Sequence, residues 1–393
     1  MISIKKSIYS SQFLKLCFSI FLFTLSSSML VAELFEYISS LGGKEYKGFV
    51  VLAYSAAAII SRPISGNLTD NLGRKPVMLI GIALCFISAF LYPFASSILF
   101  FFSVRILHGI SAAFTPSANS AALIDITPLS RRGEAIGIVS FFASIGMTVG
   151  PYFGSEIKIN LGYNFLFFSS CFFSLIALLI VLSFKETLEN NNKKIRMSSI
   201  NFFNISVMYP ALVYLFYMIS YTIIFTIIPD FSTHLNIENK GLFFLYCVGT
   251  SCIIRIFVGR ISDKIGGRFQ FLFFGILILL ISMFLIGSAK DVTTFLIGAI
   301  LNGISIGVVS PVIMAWASEV ASTKHLGSAF STMFLCLEIG VSLAAIFSSL
   351  IYKNNSDNFS STFYFMSLFG FIALIIIVYI KIYKNHVFYA KTP

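Results

Sequence analysis

Apolar runs of about twenty residues, the length a helix needs to cross a bilayer, follow one another along the chain. Short polar stretches between them carry nearly all the charge. The runs predict helices over 13–35, 48–68, 76–96, 98–126, 133–157, 163–184, 205–228, 240–261, 268–288, 292–320, 327–351 and 362–382. Lys185–Asn204 is the longest polar stretch, and it separates six spans from six. The expected organisation is a first bundle over 1–184, a linker over 185–204 with room for a short surface helix, and a second bundle over 205–393.

Composition turns that pattern into a class. The chain of 393 residues is 57% hydrophobic and 11% charged, with a mean hydropathy of +0.91. A soluble domain with so little charge could not cover its surface, so an all-α integral membrane protein is expected, with the lipid bilayer as its surroundings. The net charge of +11 would suggest nucleic acid in a soluble chain. Here the bases sit between apolar runs and report topology instead, so no nucleic-acid partner is expected. Cys17, Cys85, Cys171, Cys247, Cys252 and Cys336 all fall inside apolar runs without metal-ligand spacing. They read as small apolar packers, with no disulfide framework, metal site or cofactor. Lys5 and Lys6 ahead of Phe13–Ala32 imitate a signal peptide, but the run is too long and Leu30 makes a poor cleavage site. That segment is expected to remain as the first span.

One side of the membrane collects Lys5, Lys6, Arg74, Lys75, Arg131, Arg132, Lys185, Lys193, Lys194, Arg196, Arg260, Lys264, Arg268, Lys324, Lys381, Lys384 and Lys391. The other has Lys44, Lys47, Lys158, Lys240, Lys290 and Lys353. The excess of bases marks the cytoplasmic side, which puts both termini there in a multi-pass protein of the cell (inner) membrane.

The densest polar chemistry lies in the hairpin Gly66-Asn67-Leu68-Thr69-Asp70-Asn71-Leu72-Gly73-Arg74-Lys75-Pro76. Gly66 permits close helix approach, Gly73 suits the positive φ of a tight turn, and Pro76 suits the first position of the next helix. The layout returns at Gly259-Arg260-Ile261-Ser262-Asp263-Lys264-Ile265-Gly266-Gly267-Arg268. The differences 259−66, 263−70 and 266−73 are each 193, and Arg62 and Arg255 keep the same spacing. Arg105-Ile106-Leu107-His108-Gly109-Ile110-Ser111 aligns with Ala299-Ile300-Leu301-Asn302-Gly303-Ile304-Ser305 at a spacing of 194, as do Gly133 with Gly327 and Asp125 with Glu319. A repeat of six spans is parallel, and a site between such halves near the midplane suits alternating access.

The first hairpin resembles the loop signature of the major facilitator superfamily, G-x-L-a-D-r-x-G-r-k, departing from it at Asn71, where the family usually has a base. The second copy resembles that signature's weaker echo. The resemblance implies a twelve-helix carrier of two six-helix repeats. It implies a conformational latch in which Asp70, Arg74 and Asp125 hold the cytoplasmic side closed, with Gly66, Gly73 and Lys75 shaping the loop. Asp263, Arg268 and Glu319 would form a looser analogue. Asp70 also suits the positive N-terminus of the eleventh span, near Gly327.

Arg105 lies about seven residues, roughly 10 Å, inside the fourth span. A charge there costs about 2.5–3.5 kcal/mol on insertion scales and should face the protein interior. Its segment resembles the R-x-x-x-G-x-x-x-A signature of proton-coupled carriers in the superfamily, which implies proton coupling. The other reading is a structural arginine bonded to helix carbonyls. His108 is either a satisfied core histidine or a titratable group beside that arginine. Glu338, deep in the eleventh span, is either a proton-binding carboxylate or a neutral acid tying two helices, and Glu33 at the end of the first span is a further coupling candidate. Glu36, Asp230 and Glu156 read as interfacial acids. Tyr54, Tyr152, Tyr214, Tyr217, Tyr221, Tyr246 and Trp316 carry polar tips suited to a cavity wall.

The fifth span carries Gly146, Gly150, Pro151 and Gly154. Small residues four apart make one smooth stripe for close packing, and Pro151 permits a kink. The set resembles the G-x-x-x-G-P-x-x-G signature of exporters in the drug/proton antiporter branch. Together these features imply a secondary active transporter, not an enzyme: a monomeric proton-coupled antiporter that exports small apolar or amphipathic compounds. The alternative is an uptake symporter or facilitator for a sugar or another small metabolite. A membrane enzyme or receptor has no His/Asp/Cys cluster, phosphate loop or soluble domain to support it.

Overall fold

The computed structural model describes residues 8–31, 33–188, 203–237, 242–353 and 355–383. Its helices are α1 (Ser11–Ser28), α2 (Leu34–Ser40), α3 (Lys47–Asn71), α4 (Arg74–Leu91), α5 (Ile98–Asp125), α6 (Arg132–Leu161), α7 (Tyr163–Leu182), α8 (Met208–His234), α9 (Leu242–Ile265), α10 (Arg268–Ser288), α11 (Val292–Val320), α12 (Leu326–Tyr352) and α13 (Phe359–Tyr383). All but the seven-residue α2 correspond to the twelve predicted spans. Eleven of them are long and apolar enough to cross a membrane among the described residues. The remaining one, α1, has 18 residues and ends in Ser26-Ser27-Ser28. Of the linker expected over 185–204, residues 189–202 lie outside the described residues.

Ends follow local chemistry. Ser10, Ser97 and Asp291 cap α1, α5 and α11, each accepting from the backbone N–H three residues on. Those bonds hold the exposed Asp291 carboxyl below the usual carboxylate range. The first predicted span, 13–35, is broken. After α1 the backbone tightens to i→i−3 bonds, Val31 to Ser28 and Glu33 to Leu30, before α2 begins. Hydroxyls of Ser26 and Ser28 bond away to other helices at this point, and such side chains compete with helix continuation. Pro76 is the third residue of α4, not its first. The position costs no hydrogen bond, because the first N–H groups of a helix have no partner within it.

The chain forms two compact units. One comprises 1–131, 138–204 and 323–332; the other comprises 132–137, 205–322 and 333–393. In the first, neighbours run α1–α7–α4–α5–α3. In the second they run α8–α13–α10–α11–α9, the same order six spans later. The sequence repeat is thus a repeat of packing. The first unit also takes in the opening turns of α12, and the second those of α6.

Candidate functional site

The hairpin after α3 sets the first group. Gly73 has φ +123°, the conformation expected of it, and hands the chain to α4. Arg74, 1% exposed, donates from Nε to Asp125 Oδ2 at 2.9 Å and from Nη1 to the Thr69 carbonyl at 2.8 Å, with Asp70 Oδ1 3.6 Å away. Asp70 turns its two oxygens outward to α12, accepting from Gly327 N–H at 2.7 Å and Ser328 N–H at 2.9 Å. A carboxylate bonded to two free N–H groups at a helix start gains from hydrogen bonding and from the helix dipole. Gly66 makes that approach possible: a Cβ there would lie 2.6 Å from Ser331 Cβ and 2.9 Å from Ser328 Cα.

The second unit repeats the device. Asp263 accepts from Gly133 N–H at 3.1 Å and Glu134 N–H at 2.9 Å, at the start of α6. Arg268 Nη2 lies 2.8 Å from Asp263 and 2.5 Å from Glu319, so the copy expected to be looser is paired at shorter distances. Glu134, 5% exposed at its side chain, pairs with Arg260 at 2.7 Å, and Arg132 donates to the Ser318 carbonyl. The spacing that relates Asp70 to Asp263 and Gly327 to Gly133 already contained the second cap.

The sequence reading missed Glu186 and Thr187 because they lie in a stretch read only as linker. The Glu186 carboxylate accepts from Arg74 N–H and Lys75 N–H, both at 3.0 Å, and so satisfies the start of α4. Thr187 donates to Asp125 Oδ2 at 2.8 Å, the oxygen that also receives Arg74. Lys75 reaches back to the Leu182 carbonyl at 2.7 Å. An acid directly after an apolar run, beside a helix start lacking its own capping side chain, is the signal that marks such a strap.

Arg105 and His108 are buried on α5. Arg105 Nε donates to the Val50 carbonyl at 3.0 Å, and its guanidinium lies 4.4 Å from the Tyr54 ring centroid. Its Nη1 faces His108 Nδ1 at 3.4 Å. The carbonyl bond expected of a structural arginine is present, and His108 lies beside the guanidinium. Glu33 is separate from this pair: Ser155 donates to it at 2.5 Å and Lys158 lies 3.5 Å away. Glu338 is half-buried in the middle of α12, where its carbonyl accepts from Ser342. Glu36 and Asp230 are exposed, as interfacial acids should be. Tyr152 and Tyr246 are exposed too, whereas Trp316 is fully buried and Tyr217 bonds Ser305 at 2.9 Å.

The glycine stripe of α6 packs on α1. A Cβ at Gly146, Gly150 or Gly154 would collide with Thr24 Oγ1, Ser28 Oγ or the Met29 carbonyl, respectively. Ser28 donates to the Gly146 carbonyl at 2.9 Å, a bond that only glycine-close backbones permit. Pro151 sits half-buried inside the helix. An apolar hollow of about 580 Å³ between the starts of α3 and α5, lined by residues such as Phe49, Leu52 and Phe102, contains none of the expected site residues.

Residues 16–237 and 210–387 each match the Major Facilitator Superfamily. Multidrug resistance protein 1 of Bacillus subtilis (strain 168) is 33% identical over 153 residues, 38% of this chain and 39% of that protein. Quinolone resistance protein NorA of Staphylococcus aureus is 28% identical over 147 residues, 37% of this chain and 38% of that protein. The chain thus spans about two fifths of the length of these curated relatives. In structure, the proton:xylose symporter XylE aligns with a TM-score of 0.78 at 15% identity, over 94% of this chain and 95% of that one. With both halves matched and the whole fold shared, the chain belongs to the Major Facilitator Superfamily, a family of membrane transporters and not of enzymes.

Proposed function

We propose that this transporter is a proton-coupled antiporter that exports small apolar or amphipathic compounds from the cytoplasm. The observation that carries export is the Gly146, Gly150 and Gly154 stripe seated on α1, because the signature it resembles is associated with exporters. The names of the partial relatives, a multidrug and a quinolone resistance protein, support the same reading. A buried arginine within an apolar helix supports proton coupling, since a costly intramembrane charge is retained for a task. Arg105, His108, Glu338 and Glu33 are the groups assigned to it.

In this reading both termini and the 66–76 hairpin are cytoplasmic. Asp70 on Gly327 and Ser328, and Asp263 on Gly133 and Glu134, act as two clasps that hold the cytoplasmic side closed. Arg74 and Arg268 lie beside those carboxylates and keep them aimed. Opening that side breaks the bonds, and alternating access follows as the clasps release and re-form.

The test is transport in everted membrane vesicles from a host lacking its own exporters, with ethidium and norfloxacin as probes. An inside-acid proton gradient is expected to drive both inward, and nigericin, which collapses that gradient, to stop it. Accumulation indifferent to the gradient would refute antiport, and gradient-driven xylose movement with no effect on either drug would favour a symporter.

A further inference from the structure

His108 sits at the centre of a polar cluster in an otherwise apolar region. Its Nδ1 faces Arg105 Nη1 and the Tyr92 hydroxyl, each at 3.4 Å. Its Nε2 faces Ser27 Oγ at 3.1 Å and Cys85 Sγ at 3.8 Å, and the Tyr54 ring meets it edge-on at 5.5 Å. These groups come from α1, α3, α4, the turn after α4, and α5 itself. Arg105, Tyr54, Tyr92 and Cys85 are the ones that ionise. Among the described residues no carboxylate forms an ion pair with Arg105.

A guanidinium only donates hydrogen bonds. Nδ1 must therefore accept, and the single ring proton sits on Nε2, directed at Ser27. The lone pair that holds Arg105 is thus the one a second proton would need. With no carboxylate paired to Arg105 among the described residues, an imidazolium and a guanidinium at this separation repel each other.

We propose that Nδ1 of His108 is a proton-binding site contested by the Arg105 guanidinium, so that taking up a proton and releasing Arg105 are one event. The inference rests on the antiport reading and names the atom that serves it. The entering proton forms an N–H bond at Nδ1, no bond breaks, and Arg105 stays cationic. The Tyr92 hydroxyl, already on Nδ1, rotates to accept the new N–H. Arg105 shifts onto its contacts with the Val50 carbonyl and the Tyr54 face. Both belong to α3, the helix that carries Asp70 in its last turn. The contact there is tight, since a Cβ on Gly109 would strike the Tyr54 carbonyl. A displaced guanidinium thus bears directly on the helix that carries the hairpin. In the second half the matching positions are Ala299 and Asn302, which do not ionise, so the device belongs to the first half alone.

The full chain, labelled with 15N-histidine in nanodiscs, tests the site directly, and His108→Asn assigns the ring signals. The wild-type ring is expected as the Nε2–H tautomer with Nδ1 bare. Arg105→Gln is expected to let the ring take its second proton at a higher pH than in the wild type. An Nδ1–H tautomer in the wild type, or a ring that titrates identically with and without Arg105, would overturn the proposal. Transport is the second arm, in proteoliposomes with ethidium as probe. His108→Asn keeps an acceptor for Arg105 but binds no proton. It is expected to slow gradient-driven ethidium movement about tenfold or more while leaving downhill counterflow within about twofold of wild type. Wild-type gradient-driven rates in His108→Asn would overturn the proposal. If wild-type ethidium transport ignores the gradient, the antiport reading has failed, and the ring signals still decide whether Arg105 and the proton compete.

Discussion

Asp70→Asn isolates charge from shape at the first clasp. The carboxylate accepts two backbone N–H groups, from Gly327 and Ser328, one on each oxygen. An asparagine keeps one oxygen and turns an NH2 toward the other N–H, so one charge-assisted bond is lost and the other becomes neutral. Bonds to charged groups contribute about 1.5–3 kcal/mol and neutral ones about 0.5–1.5 kcal/mol. The attraction of Arg74 at 3.6 Å and of the helix dipole is weakened as well. The two bond terms come to a loss of about 2.5–4.5 kcal/mol from this contact, or roughly 70- to 2,000-fold in the equilibrium that holds the start of α12 on α3.

The readout is Ser331→Cys in a background lacking the six native cysteines. Ser331 is 3% exposed, donates to the Arg62 carbonyl and lies against Gly66, so it is covered while the clasp is shut. Asp70→Asn is expected to raise its labelling by a membrane-impermeant maleimide at least tenfold, a floor below the lower end of that range, and to cut ethidium transport, with membrane insertion intact. Asp263→Asn should not change labelling at 331 to that extent, because its own partners are Gly133 and Glu134. Unchanged labelling at Ser331→Cys in the Asp70→Asn variant, with normal transport, would refute the latch.

Gly150→Val should lower the thermal midpoint and expression, because its side chain meets Ser28 and the backbone of α1, an overpacking cost of about 1–3 kcal/mol; Gly249→Ala, where a Cβ meets nothing within 4 Å, should lose only the helical glycine's own flexibility and leave the midpoint unchanged or raised. Glu186→Gln should destabilise the first unit by about 1–2 kcal/mol, measured by thermal unfolding, because two N–H groups at the start of α4 lose a charged acceptor; an unaltered midpoint would remove the strap from the account. Glu338→Gln should keep drug binding and downhill exchange but lose gradient-driven transport, and wild-type uphill rates would reduce Glu338 to a packing residue.

What the sequence made legible was whatever the repeat or the bilayer constrains. A bilayer sets span length, so twelve helices could be counted from apolar runs. The resemblance to the family's loop signature implied which hairpin residues come together, and both triads assemble, Arg74 on Asp125 and Arg268 on Glu319. Glycines spaced by four implied a close partner, though not which helix, and that partner is α1. Less legible was chemistry supplied from a distance in sequence. Glu186 reaches Arg74 across 112 positions, and nothing in the local pattern of either names the other. The break after Ser28 was hidden because serines are compatible with a membrane helix, and only their bonds to Ser170 and Gly146 show why the helix stops.

His108 shows why a position can be found while its role is not. The sequence offered a histidine three residues after an arginine, which on a helix means one face and contact. That spacing says nothing about which ring nitrogen the arginine meets. The nitrogen decides the chemistry: at Nδ1 the guanidinium occupies the lone pair that a proton would take, whereas a guanidinium elsewhere on the ring's edge would leave it open. The orientation is fixed by Ser27 on α1 and Tyr92 after α4, two residues with no relation to His108 in the chain's periodicity. Asn302 at the matching place in the second half can accept a hydrogen bond but cannot change charge. An Ala299→Arg change would therefore rebuild the arginine of the pair there without its switch. The variant tests whether the proton contest, and not merely a buried cation, is what couples: if adding this second arginine alone restored gradient-driven transport to Arg105→Gln, charge would suffice and the histidine would be incidental.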